Sequence, residues 1–140
     1  VGRTEFPTDS LKGIHVLLVD DDEDTRALLE TVLEYCGALV TAVASAADAL
    51  TTLERVKPDL VLSDLSMPER DGYWLIRELR ARPVDAGGKV PAVAITALGF
   101  PHGVDRSLAA GFQAHLRKPV DPWELARTIA GLAGHRNARD

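Results

Sequence analysis

The sequence predicts an α/β domain built around a parallel sheet, and three observations carry that reading. Apolar runs of strand length alternate with segments of helical periodicity, five of each along the chain. The first and third runs are almost continuously apolar, as strands are when helices cover both faces of their sheet. With 140 residues, 46% of them hydrophobic, and no internal repeat, the chain fits one domain with a sizeable core.

Residues 1–12 mix polar side chains with Gly2 and Pro7 without periodicity and read as a flexible lead. Ile14-His15-Val16-Leu17-Leu18-Val19 is the first strand run, ended by Asp20, Asp21 and Asp22. Over residues 23–36, Leu28, Leu29, Val32, Leu33 and Cys36 recur at helical spacing, and Gly37 stops the helix. Residues 39–43 suit a second strand. Ser45 then suits an N-cap for a helix turning Ala46, Ala49, Leu50, Leu53 and Val56 inward, closed by Pro58. Residues 59–64 form the third strand, followed by a loop with Pro68 and Gly72 and a helix carrying Leu75, Ile76 and Leu79. The fourth strand covers residues 91–96, a short helix around residues 104–110 ends at Gly111, and the fifth strand covers residues 112–117. The last helix opens near Asp121-Pro122 with Leu125, Ile129 and Leu132 on one stripe. One domain over residues 13–134, with a tail at 135–140, is the expected organisation.

Composition narrows the function. A formal net charge of −5 gives no basic stripe for nucleic acid. A single cysteine, Cys36, rules out an internal disulfide and makes a reducing cytoplasm the simplest setting. No apolar run approaches the roughly 18 residues of a membrane span, so no membrane contact by this domain is expected. The chain opens on Val1 and its one methionine is Met67, so it has either lost an initiator or been cut from something longer.

Ligands of open α/β sheets bind beyond the carboxyl ends of the strands. Here those ends carry Asp20-Asp21-Asp22, Asp64, Thr96 and Arg117-Lys118. Crowded carboxylates repel one another unless a cation offsets them, and oxygen ligands at a solvent-facing edge suit Mg²⁺. Asp64 is then a candidate nucleophile for an aspartyl-phosphate, with Lys118 and Mg²⁺ supplying charge and Thr96 a hydrogen bond. Singly, each residue has an ordinary explanation: Asp22 and Asp24 as helix-start residues, Asp64 and Thr96 as turn residues, Lys118 as a solvated charge. Their coincidence at four strand ends is what points to a site.

These residues resemble the response-regulator receiver domains of two-component phosphorelays over about residues 11–134. Val16-Leu17-Leu18-Val19-Asp20-Asp21 is similar to the family's first strand and acidic pair, and Asp59-Leu60-Val61-Leu62-Ser63-Asp64-Leu65-Ser66-Met67-Pro68 with Asp71-Gly72 to its phosphoacceptor strand and loop. Ile95-Thr96-Ala97 and Lys118-Pro119 are similar to its switch hydroxyl and lysine–proline pair. The resemblance implies a flavodoxin-like sheet of order 2-1-3-4-5 and phosphorylation of Asp64 by a histidine kinase or histidine phosphotransfer protein. It implies Mg²⁺ bound by Asp21, Asp64 and the Ser66 backbone carbonyl, with Asp20 acting largely through water. It further implies a Lys118–Pro119 bond that is commonly cis, and a switch surface formed by helix four, strand five and helix five. A homodimer is left open.

Some positions depart from the family pattern. His115 stands where an aromatic switch residue is usual, so an ordinary half-exposed strand histidine and a pH-sensitive switch both stand as readings. Gly99 to Gly103 predict a mobile loop before a short helix four. Ser66 and Leu98 offer no acid or amide to orient an attacking water, which points to slow self-hydrolysis. Trp74 and Trp123 fit either a partner surface or a ring covering a helix edge. Two other functions compete: a haloacid-dehalogenase-type phosphatase, suggested by Asp20-Asp21-Asp22, and a receiver-like binding module that is never phosphorylated. The runs at residues 92–97 and 109–120 resemble receivers at the ends of hybrid sensor kinases.

Overall fold

The computed structural model describes residues 9–97 and 103–134. In chain order the elements are β1 (His15–Val19), α1 (Glu23–Tyr35), β2 (Leu39–Val43), α2 (Ala46–Leu53), β3 (Leu60–Asp64) and α3 (Gly72–Arg80). They continue with β4 (Ala92–Thr96), α4 (Gly103–Ala110), β5 (Ala114–Arg117) and α5 (Pro122–Ile129). A single 3-10 turn, Val84–Ala86, precedes β4, and a π-helical segment, Ala130–Gly134, extends α5.

The five strands are all parallel, in the order β2-β1-β3-β4-β5. Successive side chains of a strand point to opposite faces, so each central strand feeds two cores. Val16 and Leu18 pack with Leu33, Leu62, Ile95, Leu125 and Ile129 under α1 and α5. Leu17 and Val19 pack with Leu53, Val61, Leu75, Ile76 and Leu79 under α2 and α3. At about 25 cal/mol per Å² of apolar surface removed from water, these two layers dominate the stabilisation.

Helix starts follow the expected chemistry. Asp22, Ser45, Asp71 and Asp121 each accept a hydrogen bond from a backbone N–H in the first turn of the helix that follows. Asp22 and Asp24 therefore stand at the start of α1 as anticipated, Asp22 as its cap and Asp24 in its acidic first turn.

Several expectations need correction. Leu28 is 63% exposed, because the buried stripe of α1 runs through Leu29, Leu33 and Cys36 and is narrower than the periodicity suggested. α2 ends at Leu53, so Val56 lies beyond it and Thr52 takes a buried place on the helix. Asp59 stands just outside β3, where its carboxylate accepts the His15 N–H at 2.8 Å. In the π-helical segment the extra residue per turn rotates the stripe, so Ala133 is buried and Leu132 only half-buried. Leu11, within the segment expected as a lead, is wholly buried, and its N–H donates to the Cys36 carbonyl at 2.9 Å.

That contact seats the turn at residues 9–13 over the end of α1, where the buried Cys36 thiol is pushed up in pKa by desolvation, partly offset by a hydrogen bond with Ser10. Trp74 is half-buried against the second core with the Arg70 guanidinium 4.5 Å from its ring, so it covers a helix edge; Trp123 is half-buried as well. The loop anticipated at residues 99–103 lies mostly outside the described residues, as does Leu98.

Candidate functional site

Strand register brings the site together. Val19 pairs with Ser63, Asp64 with Ile95 and Thr96 with Arg117, so Asp20, Asp64, Thr96 and Lys118 emerge at one edge of the sheet. Asp20, Asp64 and Thr96 are 0%, 4% and 1% exposed, whereas Asp21 and Ser66 face solvent.

The β1–α1 turn is held by its own backbone. The Asp20 N–H donates to the Val43 carbonyl at 3.2 Å, and the Asp22 N–H donates to Asp20 Oδ1 at 2.9 Å. From α1, Arg26 Nη1 donates to the Asp20 carbonyl at 2.9 Å. Beyond β3, the Ser66 N–H donates to Asp64 Oδ1 at 3.1 Å, and the Gly72 N–H returns to the Leu65 carbonyl at 3.0 Å. A Cβ on Gly72 would stand 2.6 Å from the Asp64 carbonyl oxygen and 2.9 Å from Leu65 Cα, so only glycine lets α3 start this close to Asp64. Glu69 in the same loop adopts a positive φ of 66°.

Lys118 closes the site from β5. Its N–H donates to the Thr96 carbonyl at 2.8 Å, and the Lys118–Pro119 peptide is cis. Its Nζ lies 3.2 Å from Asp64 Oδ2 and 3.4 Å from Asp20 Oδ2, so one ammonium serves two carboxylates. Burial pushes the Asp64 carboxyl above its ordinary value; the Ser66 hydrogen bond pulls the other way and the Asp20 charge adds to the rise. Burial disfavours the Lys118 ammonium, but the Asp64 and Asp20 charges, with the hydrogen bond to Asp64, outweigh it and hold its pKa above the usual lysine value.

The residues fit a small divalent cation. Carboxylate oxygens of Asp20, Asp21 and Asp64 lie within 4.8 Å of one another. Asp20 Oδ2 and Thr96 Oγ1 are buried with no hydrogen-bond partner among the described residues, an arrangement that asks for a ligand to complete it. An oxygen-only set open on one side is the kind that Mg²⁺ takes.

Of the residues expected at the site, Asp20, Asp21, Asp64, Ser66, Thr96 and Lys118 meet there. His115 is set apart, half-buried on β5 with Nδ1 2.8 Å from Ser107 Oγ of α4. Asp22, which completed the phosphatase-like Asp-x-Asp, spends its carboxylate capping α1 through Thr25, and that bonding holds its pKa down. Sequence reasoning passed over Arg26 and the reason for Gly72, since both act through carbonyls contributed by other segments.

A flavodoxin-like sheet with acids, a hydroxyl and a lysine at its carboxyl edge defines the class of phosphoacceptor signalling domains. The chain belongs to the response regulator receiver domain family, whose model matches residues 16–130. Phosphorylation on an aspartate, within two-component signalling, is the standard function of this family, and its domain is a non-catalytic phosphoacceptor. The chain is 45% identical over 120 residues to an uncharacterized 14.6 kDa protein of the sodA1 3′ region of Leptolyngbya boryana, covering 86% of this chain and 90% of that protein. It is 37% identical over 128 residues to hybrid signal transduction histidine kinase D of Dictyostelium discoideum, covering 87% of this chain but only 8% of the kinase. Among solved structures it resembles the receiver domain of the sensor histidine kinase PA1611 of Pseudomonas aeruginosa, which holds a magnesium ion in its active-site cleft. The two are 35% identical, with a TM-score of 0.78 over 87% of this chain and 98% of that one. Among the described residues no helix is long and apolar enough to cross a membrane.

Proposed function

We propose that Asp64 accepts a phosphoryl group from a phosphohistidine on a histidine kinase or phosphotransfer protein. The observation that carries this reading is the shared ammonium: Lys118 Nζ stands 3.2 Å and 3.4 Å from the Asp64 and Asp20 carboxylates at the strand ends. In the transfer an Asp64 carboxylate oxygen forms the new bond to phosphorus while the phosphorus–nitrogen bond breaks and the imidazole leaves, taking up a proton. Asp20, Asp21, Asp64 and the Ser66 carbonyl would hold Mg²⁺, which supplies positive charge against the transferring group. Lys118 adds a second positive charge beside Asp64. Thr96 Oγ1, buried with its hydrogen-bonding capacity unspent, supports a role as donor to a phosphoryl oxygen.

The modified domain then switches its α4–β5–α5 face, and the Ser107–His115 hydrogen bond between α4 and β5 supports that coupling. Ser66 brings no acid or amide to activate water, consistent with slow self-dephosphorylation. Beside Lys118 an apolar groove of about 560 Å³ is lined by Leu28, Leu29, Val32, Pro119, Val120 and Pro122, and it supports docking of the donor's helices next to Asp64. Residues 13–134 form the receiver unit in this reading, working in the cytoplasm as a free-standing domain or as part of a hybrid kinase.

Intact-mass spectrometry tests the reading. After incubation with a small phosphodonor, and separately with a phosphohistidine donor, the wild type gains one Mg²⁺-dependent phosphoryl adduct and Asp64→Asn gains none. A folded wild type that gains none from either donor turns the reading to a receiver-like binding module.

A further inference from the structure

We infer that Arg26 is a positioning residue for the metal-binding turn, acting through the carbonyl of Asp20 and not through any charge it brings to the site. The inference rests on the Mg²⁺ reading above. Arg26 lies in the first half of α1, half-buried, with Nη1 2.9 Å from the Asp20 carbonyl oxygen. That carbonyl belongs to the peptide joining Asp20 to Asp21. Because the peptide is planar, fixing its oxygen fixes the direction in which the chain leaves Asp20 and hence where the Asp21 side chain starts.

The other bonds of the turn do not do this. The Asp20 N–H to Val43 bond anchors the peptide before Asp20, and the Asp22 N–H to Asp20 Oδ1 bond anchors one side-chain oxygen. The second oxygen, Oδ2, is left facing Lys118 at 3.4 Å with no hydrogen bond of its own. Arg26 is also the first residue of α1 whose N–H reaches back to the Asp22 carbonyl, at 2.9 Å, so guanidinium and helix backbone grip the turn from the same side. A planar guanidinium holds a fixed direction that a lysine ammonium does not.

Charge and geometry make opposite predictions here. A guanidinium beside a cation site repels the cation, so removing it by charge alone strengthens Mg²⁺ binding. Removing a residue that orients ligands weakens it, typically by roughly tenfold or more for partners one step behind the metal.

The test is a MgCl₂ titration of the whole chain followed by backbone amide NMR shifts at Asp21, Asp22 and Ser66, with the other amides reporting that each variant is folded. Arg26→Met is expected to weaken Mg²⁺ binding by roughly tenfold, and Arg26→Lys, which keeps the charge, to fall between it and the wild type. Unchanged or tighter binding in Arg26→Met, beside a wild type that binds Mg²⁺, overturns the inference and leaves the metal site intact. A wild type with no Mg²⁺ response overturns the metal reading and this inference with it. If Arg26→Met does not fold, Arg26→Lys decides: weaker binding supports the inference and wild-type binding overturns it.

Discussion

Asp64 sits where its charge is disfavoured, nearly out of reach of water and beside a second buried carboxylate. Its pKa is raised in the folded protein, so the favourable contribution to stability is fully present below the unfolded value near 3.8 and is lost as pH rises through the folded value. At neutral pH the charged group therefore weakens the metal-free fold. Asp64→Asn is expected to stabilise that state by about 1 kcal/mol at pH 7, with the gain vanishing below about pH 4. Urea unfolding with a chelator at both pH values measures it, and a gain independent of pH would speak against burial of charge as the cause. The candidate site residues were legible because strand ends are legible: Asp64 and Thr96 each close a short apolar run, and Lys118 stands between the last strand and Pro119. Gly72 was visible in the sequence but its reason was not, since the oxygen that forbids a Cβ belongs to Asp64, eight residues earlier.

At the level of elements, the end of the sheet opposite the site is tied by Arg80, the last residue of α3. Its Nε and Nη2 donate to the Gly111 carbonyl at 3.0 and 2.8 Å, and Nη1 donates to the Gly88 and Val90 carbonyls at 3.1 and 2.8 Å. Nη2 also reaches Gln113 Oε1 at 2.9 Å, and that oxygen accepts the Ala92 N–H at 2.7 Å. One guanidinium thus joins α3 to the segments that lead into β4 and β5. Desolvation lowers its pKa, and it is the several carbonyls around it that make such a burial tolerable. Arg80→Met is expected to lower the unfolding free energy by about 2–4 kcal/mol by leaving those carbonyls unsatisfied. Arg80→Lys should recover only part of it. A urea midpoint for Arg80→Met close to that of the wild type would show that water replaces the guanidinium without loss. Apolar patterning located the five strands and the five α-helices, yet it has no signal for a charged residue whose partners are carbonyls of distant loops. Leu28 and Leu132 show the converse, since periodicity marks an apolar position without saying whether a neighbour covers it.

For the molecule as a whole, periodicity gave alternating elements, while the strand order came from the family resemblance; which parallel neighbours meet is set by crossovers that leave no local trace. The assembled fold has an apolar groove opening beside Lys118 at the carboxyl edge of its sheet, with Leu28 exposed on its rim. A side chain left in water contributes little to folding, so Leu28→Asp is expected to change stability by no more than about 0.5 kcal/mol. The same change should slow phosphotransfer from a protein donor by roughly tenfold or more and leave labelling by a small phosphodonor unaltered. Parallel rate measurements with the two donors check this, and equal slowing of both would place the defect at Asp64 and not in docking.

The seating of residues 9–13 over the end of α1 has one more consequence. Cys36 is the chain's single thiol, wholly buried and harder to ionise than a free cysteine, with its carbonyl held by Leu11 and a hydrogen bond with Ser10 alongside. An alkylating reagent meets a thiolate only in molecules where this packing, the N-terminal clasp included, has opened. The protein therefore carries its own reporter: a reagent faster than reclosing reads how often the clasp opens, and a slower one reads what fraction of molecules stands open.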